Sequence, residues 1–337
     1  MYLNYINNFR GLAILFVISI HVLAIFSSYL APSTYAFIRN LIGNGTVLFV
    51  FIAGLLFQHL SGKYNFRRYI TSKIKYVLLP YLLISIPAII YVTQFSAPRL
   101  EYIADYPMVI QVLLYLITGS HLLPLWFMPM IVIYYLISPL LIKLDRTKYF
   151  YHFLPLFIVL SILADKNVDN ILVSFIHYLS VYIFGMYFSN NKQELLQFIG
   201  KRIVLFWAVF IVLVILGTVN EITGFQYSPL GTNLFLIYLN KMVLTCILMY
   251  VLYKHDEVLG KKFNLLASYS FGIYFIHEFF DIVLDKVYRG FNLELFSDLT
   301  IIAFAMITFM VVLLLCLGTI YVIKKVMGKK SRYIIGS

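Results

Sequence analysis

The chain has 337 residues and a formal charge of +12, with 62% hydrophobic and 12% charged residues. A soluble domain is ~45–50% apolar and ~25% charged, so this composition excludes an ordinary soluble enzyme. It also turns the positive charge from a nucleic-acid signal into a question of membrane topology.

Apolar runs of ~20 residues, enough for an α-helix to cross ~30 Å of hydrocarbon, recur along the whole length. They are 9–30, 36–60, 76–95, 124–142, 149–165, 170–188, 203–220, 231–253, 265–287 and 299–323. The expected fold is an all-α polytopic helix bundle of ten spans, a single transmembrane domain over 1–337 with no soluble domain. No strand alternation at ~10-residue spacing suggests a β-barrel. The short run 108–118 reads as interfacial or re-entrant, within an external segment from Ser96 to Pro124. No basic n-region or cleavage site marks a removable signal peptide.

The loops divide by charge. One alternating set holds Lys63, Arg67, Arg68, Lys73 and Lys75, then Lys143, Arg146 and Lys148, then Lys192, Lys201 and Arg202. It continues with Lys254, Lys261 and Lys262 and ends with Lys324, Lys325, Lys329, Lys330 and Arg332. The other set has Arg99, Lys166, Lys286 and Arg289, with Arg39 and Lys241 near span edges. The positive-inside bias predicts both termini in the cytoplasm of a cell-membrane protein.

Ionisable groups inside a membrane are costly and point to function. In the first span Arg10 and His21 are eleven positions apart. Steps of ~100° return them to within ~20° of one direction, ~16 Å apart along the axis. Asn7 and Ser28 lie near the same stripe. Separate roles, an interfacial arginine and a packing histidine, fit the spacing equally well. In the ninth span Ser270, Tyr274, His277 and Asp281 fall at i, i+4, i+7 and i+11, one polar stripe. His277 and His21 sit at similar depths in spans of the same direction. Hydrogen bonding between helices is the competing account of that stripe, the weaker of the two.

The basic stretch Lys63–Lys75 reads as a topology signal or as a cytoplasmic site for a phosphate-bearing ligand. Trp126 reads as an interfacial belt residue. His59, His121, His152, His177 and His255 carry no expected role. Cys246 and Cys316 read as packing residues, and no metal site or permanently bound cofactor is expected.

Several of these segments together resemble the membrane acyltransferase-3 family. Asn8-Phe9-Arg10-Gly11-Leu12-Ala13 with His21 is similar to its first-helix signature. Leu48–Gly54 resembles its second helix, Arg67–Tyr81 its basic entry to the third, and Leu125-Trp126-Phe127 and Ser138-Pro139-Leu140 a later helix. Ser270-Phe271-Gly272-Ile273-Tyr274 with His277 resembles its late Ser-x-Gly-x-Tyr-x-x-His pattern. The order is kept across residues 5 to 325.

The resemblance implies an O-acyltransferase that moves an acetyl or succinyl group from cytoplasmic acyl-coenzyme A to a hydroxyl of a cell-surface or lipid-linked polysaccharide. It implies Arg10 and His21 as the catalytic pair. Arg67, Arg68, Lys73 and Lys75 are candidates for the donor's phosphates; Asn7, Ser270, Tyr274 and His277 are candidates for positioning. Histidine suits the task of taking the hydroxyl proton near neutral pH, or of carrying the acyl group itself. The expected partners are acyl-coenzyme A, the glycan acceptor, membrane lipids and a glycan synthase complex, with no nucleic acid. The alternative is a polysaccharide exporter or flippase, which would also need polar groups inside the membrane.

Overall fold

A computed structural model describes residues 4–95, 101–164, 169–224, 234–259 and 263–337. Arg99, Lys166, Lys261 and Lys262 of the charge asymmetry lie outside these residues. Every regular element among them is helical. In chain order the helices are α1 Asn4–Ile25, α2 Pro32–Ile42, α3 Thr46–His59, α4 Phe66–Lys73, α5 Leu79–Phe95 and α6 Met108–Thr118. There follow α7 Phe127–Leu136, α8 Ser138–Asp145, α9 Leu154–Leu163, α10 Ile171–Asn190, α11 Lys192–Lys201 and α12 Ile203–Thr223. The last are α13 Leu234–Lys254, α14 Asp256–Leu259, α15 Asn264–Tyr288, α16 Asp298–Met327 and α17 Ser331–Ile335.

Seven of these helical stretches are long and apolar enough to cross a membrane, or eight if the bent pair Met108–Thr118 and Leu123–Leu136 forms one span. Ten is reached only with two further helical segments. Phe150–Leu163 is short, and α15 carries the polar stripe that lowers its hydropathy. The protein is a multi-pass membrane protein. The bent pair turns by 71°, as a broken span or a re-entrant segment would.

The chain gathers into two compact units. One comprises Met1–His59 and Val181–Leu317, the other Leu60–Ser180 and Gly318–Ser337.

In the first unit α1 packs along α15. Gly11 permits this near the start of α1, since a Cβ there would stand 2.9 Å from Phe263 Cβ. α3 crosses α10 more closely still: a Cβ on Gly54 would meet the Tyr182 carbonyl, and one on Gly185 the Phe51 carbonyl. Small residues of this kind let membrane helices touch backbone to backbone.

The second expected span is broken between α2 and α3, where Asn44 takes a left-handed φ of 54°, a conformation asparagine tolerates. A break in hydrocarbon frees carbonyls that need donors. Lys241 supplies them. It is fully buried, not at a span edge, and its Nζ donates to Asn40 O at 3.2 Å and Leu41 O at 2.8 Å. Asn240 Nδ2 donates to the same Asn40 carbonyl at 3.0 Å. Arg39, also expected near an edge, pairs with Glu221 at 2.6 Å. Substituting Lys241 by Met leaves the Leu41 carbonyl without that donor. The expected cost is about 1–3 kcal/mol, read as a Tm lowered by a few degrees in detergent. An unchanged Tm would show that the carbonyl finds another donor.

In the second unit the basic stretch taken for a loop is helical. Asn65 caps α4 by accepting from the Arg68 amide at 3.0 Å, as N-cap asparagines do. The helix then runs through a π-turn, Ile74–Leu78, into α5. Phe66–Phe95 has 30 residues, ~45 Å of helix against ~30 Å of hydrocarbon. Apolarity in the sequence marks only the lipid-embedded part, so the polar first turns look like loop.

At the bend after α6, Gly119 adopts φ 70° and its N–H bonds Tyr115 O. His121 staples the turn: Nδ1 lies 2.9 Å from Tyr115 O and Nε2 2.9 Å from Ser85 Oγ. Trp126 is also corrected here. It is 6% exposed and stacks on Tyr178 with centroids 6.0 Å apart, so it is a core residue and not part of an interfacial belt. Cys246 and Cys316 are both free thiols.

Candidate active site

The α1–α15 contact brings the two polar stripes face to face. At one end Arg10 Nη2 donates to Ser270 Oγ at 3.2 Å, and Ser270 in turn donates to Ala267 O at 2.9 Å. About three turns further along α1, the rings of His21 and His277 meet edge to face with centroids 5.0 Å apart. Similar depth in the sequence thus becomes contact in the fold. Tyr274 is buried, with its ring 6.3 Å from that of His277.

Glu278 is the residue the sequence pattern passes over. Its Oε2 stands 3.2 Å from His21 Nδ1, with both side chains mostly buried. The contact is a close charge pair that does not meet hydrogen-bond geometry; a carboxylate there favours a proton on Nδ1, which leaves the Nε2 lone pair for chemistry. His277 is more deeply buried, and its Nδ1–H donates to Ile273 O at 3.0 Å. Its Nε2 has no hydrogen-bond partner among the described residues. Asp281, one turn on, is 4% exposed, and neither carboxylate oxygen is hydrogen-bonded there. Buried polar atoms of this kind need water, a proton or a ligand.

No hydrogen bond among the described residues joins Asn7 to this row, whereas its neighbour Asn8 is fully buried. His21, His277 and Glu278 offer three ligand atoms within 4.8 Å of one another. Two histidines and a glutamate are also the donor set of an open zinc site.

The basic residues assigned to the donor lie in the second unit. Arg67, Arg68 and Lys75 line a cavity of about 670 Å³ with Asn65, Thr71, Ser72 and Tyr76. Lys73 is not among its lining residues. Its ammonium sits 5.1 Å from the Tyr69 ring centroid and 4.7 Å from that of Tyr135, two cation–π contacts.

Residues 3–321 match the profile of a family described as "Acyltransferase domain". Two relatives are each named "Probable poly-beta-1,6-N-acetyl-D-glucosamine export protein". That of Staphylococcus aureus strain MRSA252 is 22% identical over 338 residues, covering 87% of this chain and 85% of its own. That of strain Mu50 is 22% identical over 333 residues, with the same coverage. No solved structure matches. The profile spans nearly the whole chain, including both helices of the facing rows, and the protein belongs to the membrane acyltransferase-3 family.

Proposed function

We propose that the protein transfers an acetyl or succinyl group from cytoplasmic acyl-coenzyme A to a hydroxyl of a cell-surface or lipid-linked polysaccharide. The observation that carries this reading is the His21–Glu278 pair at 3.2 Å. With the carboxylate beside Nδ1 favouring a proton there, Nε2 takes the proton of the sugar hydroxyl. The oxygen attacks the thioester carbonyl, the C–S bond breaks, and the imidazolium returns its proton to the thiolate. His277 and Tyr274 position His21.

Arg10 is ~16 Å of helix from His21, too far to reach the same carbonyl. That spacing suits a grip on the extended donor. In this reading both termini and the α4 cavity face the cytoplasm of the cell membrane, Arg67, Arg68 and Lys75 take donor phosphates, and a glycan synthase delivers the acceptor.

Purified protein in nanodiscs with acyl-labelled coenzyme A and an oligosaccharide acceptor tests the proposal. Label on the glycan is the expected result. The names of the relatives favour a second reading, export of the polymer. An exporter would move glycan while leaving acyl-coenzyme A intact.

Activity is expected to survive prolonged chelation, because His21 works here as a base and not as a ligand. Activity lost to a chelator and restored by Zn²⁺ would replace the base with a metal-bound one.

A further inference from the structure

One lining residue of the α4 cavity, Tyr76, is also packed against the C-terminal segment, which contributes no lining residue of its own. The C-terminal helix α17 packs against α5 and the π-turn. There the Arg332 guanidinium carbon lies 4.0 Å from the centroid of the Tyr76 ring, and the Tyr333 ring lies 5.4 Å from it. The π-turn that carries Lys75 and Tyr76 is a rare form of helix, frequent at functional sites.

Charge points the same way. Residues 61–80 and 318–337 together hold Lys63, Arg67, Arg68, Lys73, Lys75, Lys324, Lys325, Lys329, Lys330 and Arg332, and neither stretch contains Asp or Glu. Elements of one sign packed together repel unless an anion lies with them. The about 670 Å³ of the cavity falls within the ~300–1,000 Å³ of small-molecule sites. Guanidinium forks suit phosphate oxygens, and a tyrosine face suits a planar base. A phosphate flanked by a heteroaromatic ring is the chemistry of a nucleotide. An anionic lipid headgroup offers the phosphate alone.

We propose that the C-terminal segment 331–337 backs the donor site, with Tyr76 meeting the base of the nucleotide and Arg332, packed on that ring, adding charge toward its phosphates. This rests on the reading of the α4 cavity as the donor's entrance. Arg332 is a positioning residue that acts on the bound donor and takes no part in the bond changes, so its effect falls on KM and not on kcat.

The test is the affinity of coenzyme A for the full chain in neutral-lipid nanodiscs at low salt, together with KM and kcat for acyl-coenzyme A. Arg332→Gln and Tyr76→Leu should each weaken binding about tenfold, as expected for a lost charged contact or stacked base. KM should rise equally and kcat should stay unchanged. Tyr76→Phe, which keeps the ring, should bind like wild type, and Arg332→Lys should fall between. The two conservative variants keep the test valid if either drastic one fails to fold. Wild-type binding that is indifferent to both Arg332→Gln and Tyr76→Leu overturns the proposal and leaves the donor site standing. Wild type that binds no coenzyme A overturns both. An effect of Arg332→Gln confined to nanodiscs containing phosphatidylglycerol would make this a lipid contact and would also overturn it.

Discussion

His21→Gln is expected to lower acylation ~10²-fold or more, the scale of lost general-base catalysis, while leaving insertion and folding intact. The amide keeps the size of the imidazole and can still donate to the Glu278 carboxylate, so α1 and α15 should stay packed. It cannot take a proton at neutral pH, so the hydroxyl must react un-ionised. His277→Gln should cost less, because that ring acts by packing beside His21 with its Nδ1 committed to Ile273 O. The measurement is acyl transfer by monodisperse protein, with helicity as the folding control. Wild-type transfer by correctly inserted His21→Gln would return His21 to the role of a packing residue.

Glu278→Gln carries the second-largest expected effect, about 10- to 100-fold in kcat. The scale is that seen when a carboxylate that orients a metal-bound histidine is removed, applied here to a base. Glutamine keeps the size and shape of the side chain beside Nδ1, so the ring keeps its place. What is lost is the negative charge that stabilises the imidazolium formed as the hydroxyl gives up its proton. KM for acyl-coenzyme A should hold steady, since Glu278 touches no part of the proposed donor path. Glu278→Asp, which keeps the charge on a shorter arm, should recover part of the loss. Equal losses in kcat and in folded yield for both variants would mark Glu278 as a helix-packing group instead.

The facing rows were legible because helical period is robust: Arg10 with His21, and Ser270 with His277, share faces whatever the helices pack against. Glu278 was not, since it lies ~100° round from His277 and outside that row. The available signal was a carboxylate deep in an apolar run, next to a histidine. Lys73 and Lys75 were read alike because the stretch looked like loop. On a helix two residues differ by ~200°, so one lines the cavity and the other turns to Tyr69 and Tyr135. Lys241 was unreadable for another reason. Its partners are carbonyls released by a break in a helix 200 residues earlier, and no local pattern records that.

That distance has a consequence for how the chain is made. At ~5–20 residues per second, the broken α2–α3 span waits ~10–40 s on the ribosome before Lys241 emerges to receive its carbonyls. During that interval the span is held by water, lipid headgroups or the insertion machinery, and any chain that stops short of α13 keeps an open seam in its first membrane-embedded hairpin. A cell that surveys membrane proteins for unpaired backbone therefore has a defined place to recognise the unfinished form of this one.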